Sequence, residues 1–188
     1  MPTIIYIHGF NSSAKSNKAR ILSGELAKKI GYTFVCPNLP YRPFEAIDKL
    51  VEIIRNEKRE EIFLVGSSLG GFYATWLTEK YHCRSVLINP AIKPHLDLEP
   101  YLGKQANLYT GHQYTFKKSY LQELSKLYRN DLKKTDLFTL IHTTGDELLN
   151  WKVAKKKFEL CRKLIIQGGD HGFSEFGKFV VPILGLLG

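Results

Sequence analysis

The stretch Glu61-Ile62-Phe63-Leu64-Val65-Gly66-Ser67-Ser68-Leu69-Gly70-Gly71-Phe72 runs from apolar residues into a serine flanked by glycines. Glu61–Val65 has the apolar character of a buried strand, and Phe72–Tyr81 reads as a helix. Between them, Gly66-Ser67-Ser68-Leu69-Gly70 fits G-x-S-x-G with Ser68 at the centre. Chance supplies such a match about 0.05 times in a chain of this composition. Its position sharpens the signal. A strand that turns abruptly into a helix presents the turn residue on a strained backbone, and glycines let strand and helix close up. Ser67 does not qualify, because Val65 stands where glycine is needed. The plain structural role for Ser68 is a helix N-cap.

Outward from this stretch the chain alternates strand and helix. Strands are expected at Thr3–Ile7, Tyr32–Cys36, Ser85–Ile88, Leu137–His142 and Lys163–Ile166, beside Glu61–Val65. Ala19, Ile21, Leu22, Leu26 and Ile30 recur at helical spacing before Gly31, and Phe44, Ile47, Leu50, Val51 and Ile54 do the same. A helix is expected over Trp151–Cys161 with Asn150 as N-cap, and a closing helix over Phe173–Leu187 with Pro182 as an interruption. The pattern weakens from Ala91 to Thr135, which reads as a lid-like insertion with one helix near Ser119–Tyr128. Alternation of this kind predicts one α/β domain over residues 1–188. It has about six mostly parallel strands, helices on both faces, and ligands at the carboxyl ends of the strands.

A serine hydroxyl is a poor nucleophile until a base takes its proton. The loop after the last strand, Gly168-Gly169-Asp170-His171-Gly172, offers His171. His82 ends a helix, His95 and His112 fall in the insertion, and His142 ends the fifth strand. The loop after the fifth strand, Thr144-Gly145-Asp146-Glu147, offers Asp146 to orient that base. Asp146 is the choice, with Glu147 the neighbour that could replace it; the plain structural role for Asp146 is an Asx-type turn after glycine. Asp170 adjoins His171, which points the two side chains apart, and Asp136 lies before its strand, at the wrong end of the sheet. An oxyanion formed on attack needs donors. The N–H of Leu69 follows Ser68, and His8-Gly9-Phe10 after the first strand brings the N–H of Phe10. His8 itself reads as structural.

Composition sets the outer limits. With 188 residues, 44% hydrophobic and 24% charged, the chain is globular in type rather than disordered or fibrous. No apolar run approaches the roughly 18 residues of a membrane span, and the N-terminal apolar run reads as a strand rather than a signal peptide. Cys36, Cys83 and Cys161 are widely spaced and form no zinc pattern, so unpaired thiols in the cytoplasm are expected. The net charge of +9 is uneven, with +7 carried by residues 104–163. The plain reading of that segment is a solvated basic face. The functional alternatives are a phosphate-bearing substrate, nucleic acid or a lipid surface. No phosphate-binding glycine motif, metal-ligand spacing or nucleic-acid signature accompanies it.

The segments Tyr6–Ser13, Val65–Leu77, Asn89-Pro90-Ala91, Tyr101-Leu102-Gly103, Tyr109-Thr110-Gly111, Thr144–Glu147 and Gly168–Phe173 resemble the α/β-hydrolase superfamily, and within it the small YqiA-like esterases of bacteria. The resemblance implies a compact α/β-hydrolase fold without a large cap domain. It implies Ser68 as nucleophile, His171 as general base and Asp146 as its orienting acid. Small acyl esters or thioesters are then the expected substrates, with no metal or organic cofactor and no nucleic-acid partner. The alternatives are an acyl-CoA thioesterase that uses the basic 104–163 segment, or a non-catalytic binding protein on the same fold.

Overall fold

The computed structural model describes residues 1–29, 31–57 and 62–185. The readings for Ile30, Glu61 and Leu187 therefore lie outside the described residues.

Six parallel strands form the central sheet: β1 (Thr3–Ile7), β2 (Thr33–Val35), β3 (Ile62–Ser67), β4 (Arg84–Ile88), β7 (Phe138–Thr143) and β8 (Arg162–Ile166). Their order is β2-β1-β3-β4-β7-β8. Side chains alternate across it as the strand repeat of two requires. Ile5, Ile7, Leu64, Leu87 and Leu140 join one core, with residues of α2 (Pro43–Arg55) and α3 (Leu69–Tyr81). Ile4, Tyr6, Val65, Val86 and Ile141 join the other, against α1 (Asn17–Leu26) and α7 (Phe176–Gly185). Central strands are therefore buried on both faces, as β1 is at all five positions, and are mostly apolar. Helix α3 is buried almost all round, because it lies between the sheet and the insertion.

The insertion departs from the expected single helix. It holds a short helix α4 (Pro94–Asp97), a helical turn at Glu99–Tyr101, and an antiparallel hairpin of β5 (Gly103–Ala106) and β6 (Gln113–Phe116). Helix α5 (Lys118–Leu127) follows. The hairpin is short and exposed on one side, so it carries little apolar periodicity to read. Phe116, Leu121, Leu124 and Leu127 enter the main core, and the buried Glu123 accepts from Arg42 Nε at 2.7 Å and Phe44 N–H at 3.1 Å. The insertion is thus packed and tied to the start of α2.

Helix α3 begins at Leu69, three residues before the expected Phe72, and two further helices have other limits than expected. Helix α6 (Trp151–Lys157) begins at Asn150, whose side chain accepts from Lys152 N–H, but ends before Cys161. Lys163 Nζ donates to the carbonyls of Phe158, Glu159 and Cys161, which closes that end as a turn. Helix α7 starts at Phe176 instead of Phe173, because Phe173 has φ 52° and stands outside helical geometry. Pro182 lies within α7. Among the described residues no helix is long and apolar enough to cross a membrane.

Candidate active site

Ser68 sits between β3 and α3 at φ 55° and ψ −120°, a backbone position costly for a residue with a Cβ. Its surroundings hold it there. Ser68 N–H donates to Ile88 O at 3.0 Å, and Ser68 O accepts from Gly71 N–H at 2.9 Å and Ala91 N–H at 3.0 Å. The glycines around it are required by contact. A Cβ on Gly66 would stand 2.7 Å from the Gly70 carbonyl carbon, and one on Gly71 would stand 2.7 Å from Pro90 Cβ. A Cβ on Gly70 would press on the Ile7 carbonyl, 2.5 Å from its carbon. The motif therefore packs the start of α3 onto the ends of β1 and β4.

The loops after β7 and β8 meet beside it. Gly145 N–H donates to Gly168 O at 2.9 Å, and Gly169 takes φ 76° against Thr143. His171 Nε2 stands 3.1 Å from Ser68 Oγ. His171 Nδ1 stands 2.9 Å from Asp146 Oδ2. The Asp146 side chain is fully buried, and that of His171 is 18% exposed. Burial opposes the Asp146 charge. Hydrogen bonds from His171 and from the Leu149 and Leu148 N–H groups outweigh it and hold the carboxyl below its ordinary range. Asp146 thus closes an Asx-type turn and also faces the imidazole.

The other acids are engaged elsewhere. Glu147 Oε2 accepts from His171 N–H at 2.9 Å, so it holds the loop instead of the ring. Asp170 turns to Ser174. Asp136 lies in a helical turn at the amino end of β7. His8 is buried, accepts at Nε2 from Leu39 N–H at 3.2 Å and pairs Nδ1 with Gly9 O at 3.0 Å. Those bonds fix a neutral tautomer that joins the loops after β1 and β2.

Leu69 is the first residue of α3, so its N–H has no intrahelical acceptor. Among the described residues Phe10 N–H forms no backbone hydrogen bond. A Cβ on Gly9 would stand 3.5 Å from Ser68 Oγ, which shows how closely this loop passes the serine. His8 to Ser12, Leu39 to Tyr41, Leu69, Tyr73 and Tyr114 line one pocket there.

Two residues went unnoticed in the sequence. Asn89, fully buried at φ 42°, accepts at Oδ1 from Thr143 N–H at 2.9 Å. Its Nδ2 donates to Thr143 Oγ1 at 3.1 Å, Asp170 O at 3.1 Å and His171 O at 3.3 Å. In the sequence Asn89 appears only within the Asn89-Pro90-Ala91 segment of the family resemblance, with no role attached. Asn11 is the second. Tyr114 Oη donates to its Oδ1 at 2.5 Å, its Nδ2 donates to Gln105 Oε1 at 3.0 Å, and its carbonyl accepts from Leu108 N–H at 2.9 Å. The hairpin is thereby fastened to the loop that carries Phe10, whose ring packs edge-on to Tyr101 and Phe116.

The parallel sheet with a glycine-framed serine after β3 and a histidine after β8 defines an α/β-hydrolase fold. Solved structures of that fold superimpose on nearly the whole chain. Est1E from Butyrivibrio proteoclasticus, solved with bound ferulic acid, is 15% identical with a TM-score of 0.76 over 98% of this chain and 86% of its own. Alpha/beta hydrolase domain-containing protein 10 from mouse is 17% identical with a TM-score of 0.77 over 100% and 90%. The esterase domain of a Rhodothermus marinus protein is 19% identical with a TM-score of 0.69 over 98% and 85%. The chain belongs to the UPF0227 family, described as an uncharacterised protein family, which matches residues 3–188.

Proposed function

We propose that the protein is a serine hydrolase of carboxylic esters, acting through an acyl-enzyme on Ser68. The observation that carries this reading is the continuous chain Ser68 Oγ, His171 Nε2, His171 Nδ1, Asp146 Oδ2, with links of 3.1 and 2.9 Å. Ser68 Oγ attacks the ester carbonyl carbon while His171 Nε2 takes its proton. The N–H groups of Phe10 and Leu69 hold the oxyanion. The C–O bond to the leaving alcohol breaks, and His171 returns the proton to that oxygen. Water then gives a proton to His171 and attacks the acyl carbon, releasing the acid and restoring Ser68. Buried Asp146 keeps the imidazole in the tautomer that accepts at Nε2 and stabilises its charged form.

Neutral esters fit better than acyl-CoA thioesters, because among the described residues no lysine or arginine lines the pocket beside Phe10 and Leu69. The test is fluorophosphonate labelling read by intact mass, beside hydrolysis of a short p-nitrophenyl ester and of an acyl-CoA. One adduct on the wild type, none on Ser68→Ala and faster ester than thioester turnover are expected. An unlabelled wild type would instead favour a non-catalytic binding protein on this fold.

A further inference from the structure

Leu148, Val153 and Leu160 are exposed at 60%, 47% and 82% within one short stretch of chain, whereas Leu164, beside Ile141 on β7, points to the α1 and α7 side of the sheet. The same stretch exposes Lys152, Lys155 and Lys156 on α6 and Arg162 at the start of β8, against one acid, Glu159. Among the described residues none of these four cations pairs with a carboxylate. Lys157 differs, turning inward to the carbonyls of Arg129 and Asn130. Lys152, Lys155 and Lys156 line a groove with Trp151, and Val153 and Leu160 line a second groove that shares Lys156 and Glu159 with the first. The Lys152 and Lys155 ammonium groups lie 5.8 and 5.7 Å from the Trp151 ring centroid.

Exposed lysines alone are a solvated face. Interleaved with exposed aliphatic side chains and a tryptophan, they match a surface that is anionic above and apolar beneath. A polynucleotide offers phosphates to the lysines but nothing to Val153 and Leu160. An anionic bilayer accepts both sets. We propose that the exposed face of α6 docks peripherally on anionic phospholipid membranes. Leu148 follows Asp146 by two residues, so docking brings the rim of the candidate site to the lipid surface. This inference does not depend on the hydrolytic reading.

The test is flotation with vesicles of phosphatidylcholine, with and without phosphatidylglycerol at roughly one lipid in three. Wild-type protein is expected to float with the anionic vesicles, less so as salt rises, and to stay behind with the neutral ones. A lysine near an anionic surface contributes about five-fold in partitioning, so K152Q/K155Q/K156Q together should lose about 100-fold. Val153→Ser with Leu160→Ser should lose about ten-fold while keeping its salt dependence. Unchanged thermal melting of the variants excludes misfolding as the cause. No flotation, equal flotation on neutral vesicles, or retention on a single-stranded polynucleotide without flotation would overturn the proposal.

Discussion

The Asn89 side chain donates to the main-chain carbonyl of His171 at 3.3 Å, across 82 residues of sequence. The residues flanking Asn89 bind Ser68 from the other side, through Ile88 O and Ala91 N–H. The candidate nucleophile and its base are thus held by one short segment after β4, and their 3.1 Å separation depends on it.

Asn89→Asp keeps the shape and one acceptor for Thr143 N–H but sets a carboxylate against the Asp170 and His171 carbonyls. Its kcat should fall about 10- to 100-fold with little change in KM, since a small misplacement of catalytic groups is costly. The ratio of variant to wild-type activity should rise at low pH, where a protonated carboxyl again donates. Asn89→Ala, by contrast, leaves Thr143 N–H buried without an acceptor and should cost about 1–3 kcal/mol. A pH-independent ratio for the aspartate variant would sink the positioning role.

Glycine substitutions should separate by contact. Gly70→Ala drives a methyl into the Ile7 carbonyl and should abolish soluble, cooperatively melting protein. Gly24, inside α1 with open space around it, should behave oppositely. Gly24→Ala should stabilise by about 0.5–1 kcal/mol in urea unfolding.

Burial holds the imidazoles of His8 and His142 below the ordinary histidine value, although bonds to the Gly9 and Thr143 carbonyls pull the other way. Below the ordinary histidine value of 6.5 the unfolded chain takes up protons that these folded side chains refuse. Stability is therefore full above that value and falls as pH drops, by up to about 1.4 kcal/mol per pH unit for each histidine. Urea midpoints measured between about pH 7.5 and pH 5 should show the decline. His142→Leu should remove part of it, and a flat profile in the wild type would contradict it.

Tyr114→Phe removes the donor to Asn11 without emptying the ring stack, in which Tyr41 and Tyr114 lie 3.7 Å apart. A loosened Phe10 loop should lower kcat about three- to thirty-fold, less than the 10²–10³ expected for losing an oxyanion donor outright. Fluorophosphonate labelling should slow in step. Unaltered kcat would show that the hairpin does not brace this loop.

The sheet was legible because buried parallel strands are rich in apolar residues, as β1, β3, β4 and β7 are despite polar positions in each. Ser68, Asp146 and His171 stood out as candidates because each lies in a glycine-marked loop after a strand. The hairpin was not, since four-residue strands with one exposed face leave no periodicity. Nor was Asn89, whose role comes from contacts with residues 54 to 82 positions away. The early end of α6 depends on Lys163, a long side chain whose destination no local pattern specifies.

The fastening of the β5–β6 hairpin to Asn11 also bears on how the chain acquires its chemistry. The bonds from Asn11 to Gln105 and Tyr114 close loops of 94 and 103 residues. Contacts of that span are entropically late and form only after the sheet has condensed. An ordered Phe10 loop should therefore be among the last features to appear during refolding. Partly folded molecules would carry Ser68 without the means to stabilise an oxyanion, so reactivity toward a fluorophosphonate should trail the recovery of helical circular dichroism.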